Sequence, residues 1–194
     1  MIFRSISSYV SGSAKRCAIL ADIQDGFYNE SKKIFKLAET RWLSRQKCVE
    51  RILENWIALQ HYFRLAVFED KLKSAETILE ELNCLKTKAY LEFLSYVLNF
   101  FNSFNALFQS KSVLIHLLAS KTKVLYFQML QNFVLPDKIT IECDVNDELN
   151  LLPLQDIVVG YKTGRVVGSY FILHCKCYFT YLVIILYIVV HAYL

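Results

Sequence analysis

No glycine-rich phosphate loop and no dinucleotide fingerprint can be found in this chain. Its five glycines are spread over 194 residues, and three of them, Gly160, Gly164 and Gly168, stand four apart in VVGYKTGRVVGSY. Such spacing could serve a small-residue helix contact, but Lys162, Thr163 and Arg165 fit an extended or looped segment better. The six cysteines, at 17, 48, 84, 143, 175 and 177, are too scattered for the framework of a small secreted scaffold, so reduced thiols are expected. Cys175-Lys-Cys177 beside His174 lacks the second pair of donors that a tetrahedral zinc site needs. No metal and no cofactor are therefore expected. The start, MIFRSISSYVSG, has one arginine and an apolar run broken by serine, a poor secretory signal. His116 has no evident base-orienting partner, and His61 reads as a partly buried residue of an amphipathic helix. Cys48 and Cys84 fall in helical patterns away from any exposed nucleophile turn. Neither Cys–His nor Ser–His catalysis is expected.

What is present is apolar and unevenly placed. Hydrophobic residues make up 55% of the chain, enough to fill a core, and the carboxyl end holds more than its share. Residues 2–132 read as soluble protein, whereas between Tyr170 and Leu194 the only formal charge is Lys176. The net charge of +4 is modest, and the basic residues from Lys32 to Arg51 are mixed with Glu39 and Glu50. A solvated helix face explains them, and a nucleic-acid backbone contact is compatible with them.

The pattern divides the chain into a Ser-rich lead-in with a short helix (1–30), a helical region (31–135), an acidic and then glycine-containing linker (136–169) and an apolar tail (170–194). In the lead-in, residues 5–16 read as a loop entering a helix, which Asp22, Asp25 and Gly26 weaken before Phe27. A long helix starts near Thr40 or Ser44. Trp42, Val49, Ile52, Leu53, Trp56, Leu59 and Phe63 recur along it at steps of three and four and form one apolar stripe. A second helix spans 67–83, buried through Leu72, Ala75, Ile78, Leu79 and Leu82. A third spans Lys86–Phe108 with an apolar arc, including Leu94, Phe101 and Phe104, too wide for one neighbour to cover. A fourth spans Ser112–Phe133 and ends at Pro136. Asp137–Leu154 reads as a linker with one short helix near Asp147–Leu152. The run CYFTYLVIILYIVVHAYL, 177–194, is near the lower length for a bilayer span, and its β-branched and aromatic content also fits a buried strand. A membrane segment is the first expectation for it, ahead of an altered chain end with no selected function and of a core strand.

At Thr40–Arg45, TRWLSR, the chain resembles transposases of the hAT superfamily, and more closely their host-resident relatives with a degenerate transposase body. The likeness extends from SGSAKR (Ser11–Arg16) through KLAETRWLSR and CVERILENWIALQHYF to KAYLEFLSYVLNFFNSFNALFQS (Lys88–Ser110), IHLL, LPDKI and LPLQDIVVG, about residues 10–160. The resemblance implies a mainly α fold, a fragment of the helical insertion that interrupts an RNase H-like nuclease. It also implies that this chain lies between the second and third metal-holding carboxylates of the family without including either. Two-metal phosphoryl transfer needs carboxylates fixed on rigid elements with the ions about 4 Å apart. Asp22 and Asp25 read as a surface turn, and Asp137, Asp144, Asp147, Glu148 and Asp156 as an acidic linker.

Four residues are DNA-contact candidates: Trp42, which the resemblance places near a cleavage site, Arg41 next to it, and Arg45 and Lys47 beside them. An indole can stack on an exposed base and a guanidinium can contact phosphate. Packing of Trp42 at a helix start and pairing of Arg41 with a carboxylate is the competing account. Val49, Ile52, Leu53, Trp56, Phe63, Leu94, Phe101 and Phe104 are the expected core.

The resulting expectation is a non-catalytic remnant or domesticated fragment of a hAT-like transposase, a helical interaction scaffold with weak DNA association. It would reside in the nucleus, with DNA, a second copy of the chain or a helical protein as partners. The alternatives are a fragment of an active metal-dependent transposase and a small membrane-anchored protein held by residues 170–194.

Overall fold

A computed structural model describes residues 2–30, 32–34, 42–108 and 115–160. Among the described residues seven α-helices follow in chain order: α1 (Ile2–Ser11), α2 (Ala14–Tyr28), α3 (Trp42–Glu54), α4 (Trp56–Asp70), α5 (Lys73–Asn83), α6 (Leu85–Phe108) and α7 (Leu118–Leu130). Short 3-10 turns lie at Ile115–Leu117, Pro136–Lys138, Glu148–Asn150 and Leu154–Asp156. Among the described residues the fold is all-helical, with no β-sheet. The chain forms two compact units, Met1–Ser95 and Tyr96–Leu194, and α6 runs through the boundary.

The first unit departs from the sequence reading at once. Residues 5–11, read as loop, belong to α1, because Phe3, Ile6, Tyr9 and Val10 recur at helical spacing and are buried along with Ser7. Serine is a modest helix former, and the buried face overrides its preference for turns. The turn to α2 comes at Gly12, whose amide donates to the Ser8 carbonyl at 3.1 Å. A Cβ there would lie 2.9 Å from that same carbonyl oxygen, so glycine fits where a side chain would collide. Ser13, extended at φ −143° and ψ 126°, caps α2 by accepting from the Arg16 amide at 3.5 Å. The helix does not weaken before Phe27. It continues through Gly26 to Tyr28 and closes on left-handed Asn29 (φ 54°), whose amide donates to the Asp25 carbonyl.

The long helix expected from Thr40 is two helices, separated at Asn55. The second of them, α4, continues to Asp70, so the next helix begins at Lys73 rather than near Val67. Between them Lys71 adopts a left-handed conformation at φ 50°, and Leu72 is exposed instead of buried. α4 packs against α2 on one side and α5 on another, and α1 meets α2, α3 and α5. Ala58, Leu59, Tyr62, Phe63 and Ala66 of α4 are buried, as are Ala75, Ile78 and Leu82 of α5. Gln60 Nε2 ties the two by donating to the Leu82 carbonyl at 2.9 Å. α6 begins and ends within one residue of the sequence expectation.

In the second unit α7 ends at Leu130, six residues ahead of Pro136, which instead opens a 3-10 turn. The following stretch is no loose linker. Val134 and Leu151 form an isolated antiparallel bridge, with the Leu135 amide on the Asn150 carbonyl and the Leu152 amide on the Phe133 carbonyl, each at 2.9 Å. The Val158 amide donates to the Asn132 carbonyl at 2.8 Å, and Val145, Leu151, Ile157 and Val159 are buried. Asn132 is the joint of this arrangement. Its Nδ2 donates to the Gln128 carbonyl at 2.7 Å, and its Oδ1 accepts from the Tyr96 hydroxyl at 2.5 Å.

The expectation of a membrane partner or transmembrane helix is corrected. Among the described residues no helix is long and apolar enough to cross a membrane. The longest, α6, carries Lys86, Lys88 and Glu92 near its start and Asn99, Asn102, Ser103 and Asn105 farther on. Residues 170–194, on which that expectation rested, lie outside the described residues.

Candidate interaction face

The sequence singled out the buried stripe of α4, and the opposite face proves the more informative. Ile57, His61, Leu65 and Phe68 follow one another at steps of four, four and three, so they share one side of the helix. All four are exposed, Phe68 by 81% and Ile57 by 57%. Phe27, at the end of α2, turns its ring edge-on to His61 with centroids 5.6 Å apart and is itself exposed. Single exposed apolar residues are ordinary, but an aligned set on one helix is the composition of a contact surface. His61, expected to be partly buried, belongs to this open face. The signal was in the sequence, because the 57, 61, 65, 68 spacing runs beside the 56, 59, 63, 66 spacing of the core.

The far end of α4 is fastened by a polar cluster. The Tyr9 hydroxyl donates to Asp70 Oδ2 at 3.0 Å, and Arg16 Nη2 lies 3.6 Å from the same oxygen. The Arg16 guanidinium sits 3.9 Å from the centre of the Tyr9 ring and donates to the Tyr9 carbonyl at 3.3 Å. Burial, and then the bond to Asp70, push the Tyr9 hydroxyl above its ordinary pKa. Burial chiefly pushes Tyr62 up to about 12. Tyr9, Arg16 and Asp70 together clamp α1, α2 and α4.

Two cysteines differ sharply. Cys48 of α3 is buried, and burial pushes its thiol up to about 11. Cys84, read from the sequence as part of a helix, stands exposed between α5 and α6, where its carbonyl accepts the Thr87 and Lys88 amides. The Thr87 amide, then its hydroxyl, then the Lys86 amide lower the Cys84 thiol pKa, since all favour the thiolate.

Of the DNA-contact candidates, Arg41 lies outside the described residues. Trp42 opens α3, Arg45 is half-buried and Lys47 is exposed. Of the expected core, Val49, Ile52, Trp56, Phe63 and Leu94 are buried, while Leu53, Phe101 and Phe104 are half-buried. Asp22 and Asp25 are exposed on α2 rather than in a turn. Asp144 accepts from the Asn146 amide and Asp147 from the Leu149 amide, both local turn contacts. Among the described residues no three His, Cys, Asp or Glu side chains are grouped to hold a metal ion. The Cys175, Cys177 and His174 cluster lies outside them. No family model, no curated protein and no solved structure matches the chain. DNA and a second copy of the chain accordingly find no support as partners.

Proposed function

We propose that this chain is a non-catalytic helical interaction scaffold, of the kind that a degenerate hAT-like transposase body would leave. The observation that carries the scaffold reading is the open face of α4, with Ile57, His61, Leu65 and Phe68 aligned and Phe27 alongside. The resemblance centred on TRWLSR supports the transposase-like origin, and the succession of helices agrees with a helical insertion. An apolar helix face of this length suits the apolar side of a partner helix, which would dock residues at matching steps of three and four.

A photo-crosslinking amino acid at position 68 of the full chain tests the proposal in cells. The expected result is a discrete adduct that maps to the apolar face of a helix in another protein and disappears when Ile57 and Leu65 are both replaced by serine. No adduct, or one indifferent to those replacements, overturns it. The non-catalytic part is tested separately, by incubating purified chain with DNA and magnesium or manganese. Cleavage abolished by replacing particular Asp or Glu residues would overturn that part.

A further inference from the structure

Gln24 lies inside the first unit, only 2% exposed, with both ends of its carboxamide engaged. Its Oε1 accepts from the Lys32 amide at 3.1 Å, while Nε2 donates to the Lys32 carbonyl and to Asn55 Oδ1, each at 3.0 Å. Asn55 is equally buried, and its Nδ2 donates to the Arg51 carbonyl at 2.8 Å. One glutamine of α2 thereby holds both the segment at 32–34 and the joint between α3 and α4.

That joint is close to being no joint at all. The Asn55 amide still reaches the Arg51 carbonyl at 3.2 Å, and the Asn55 carbonyl accepts from the Leu59 amide at 2.9 Å. Only the rotation of Asn55, at φ −102° and ψ 21°, separates the two helices. The amides of Trp56, Ile57 and Ala58 consequently stand in a first turn, where a helix has no carbonyls of its own to offer, and Asn55 gives them no side-chain cap. Apolar burial does not enforce the break, because Val49, Ile52, Trp56, Leu59 and Phe63 keep helical steps straight through it. The polar pair does. Turning Asn55 to helical angles would swing its carboxamide away from Gln24 and leave the buried Asn55 Oδ1 without its donor.

We propose that the Gln24–Asn55 pair is a conformational latch, and that residues 42–70 form a two-state element that becomes one continuous helix when the latch opens. Removing Gln24 opens the latch and frees the Lys32 backbone together, since the same carboxamide holds both. The trade gives the Trp56, Ile57 and Ala58 amides helical acceptors at the expense of the Gln24–Asn55 bond.

Residue-resolved amide hydrogen exchange on the full chain distinguishes this latch from simple destabilisation. In Gln24→Leu, exchange at Lys32 should speed up by at least about tenfold while exchange at Trp56–Ala58 slows by a similar factor. A purely structural role would speed both. Asn55→Asp keeps an acceptor facing Gln24, so it should leave Trp56–Ala58 as they are. If Gln24→Leu does not fold, Gln24→Ala replaces it with the same expected signs. Faster or unchanged exchange at Trp56–Ala58 in the Gln24 variant, or slowing in Asn55→Asp equal to that in the Gln24 variant, overturns the proposal.

Discussion

The two units solve the same problem by different means. In the first, helices bury apolar stripes against one another, and side chains such as Gln24, Asn55 and Tyr9 tie the few places where stripes alone do not specify the arrangement. In the second, residues 131–160 form no long helix, and backbone groups brought inside must find partners along the way. They do so through Leu135 to Asn150, Leu152 to Phe133 and Val158 to Asn132, with buried Val134, Leu151 and Val159 filling the gaps. A helix satisfies its own backbone and leaves side chains free to specify packing, whereas an irregular segment needs its neighbours for both.

The largest test of that contrast is Phe63→Ala in the first unit, where a fully buried ring touches Tyr9 and Tyr62. It should cost about 3–5 kcal/mol, read by chemical denaturation. Asn132→Ala comes next. It removes the partner of the Tyr96 hydroxyl and two donations to backbone carbonyls, and should cost about 1–3 kcal/mol. Hydrogen exchange should then rise at Leu135 and Leu152 and not at the amides of α4. A rise in both places would mean that the two units do not differ in the way described.

Alkaline pH sharpens the contrast from another side. The folded Cys48 thiol binds its proton more tightly than the unfolded one, whose ordinary value is 9.0. Its contribution to stability is complete below pH 9 and declines as pH rises toward about 11. Melting temperature should therefore fall across that window, and Cys48→Ala should flatten the part of the slope due to this thiol. At mildly alkaline pH a thiol-alkylating reagent should modify Cys84 well before Cys48, as peptide mapping would show. The smallest expected effect is Phe68→Ser, within about 0.5 kcal/mol of the parent stability, because that side chain is mostly in solvent.

Where helices follow from apolar spacing, the sequence was legible. Leu85–Phe108 and the stripe from Val49 to Phe63 needed nothing beyond steps of three and four. What could not be read depended on partners distant in the chain. α1 is helical because its serine-rich segment is covered by other helices, and the break at Asn55 depends on an amide 31 residues earlier. The turn at Lys71 has no glycine to announce it. The burial of Val134, Val145, Leu151, Ile157 and Val159 was hidden by exposed acids at Asp137, Asp144 and Asp147, which give the stretch the look of a solvated linker. For the candidate site, the outward stripe of α4 was masked by a stronger inward one on the same helix.

Lys71 itself sets a limit on how the α4–α5 hairpin can change. A side chain with a Cβ occupies a backbone region that glycine enters freely, so the tight reversal is maintained against a local preference. Glycine or asparagine would be accommodated there, whereas valine or isoleucine would force the two helices to part or to exchange their connection for a wider one.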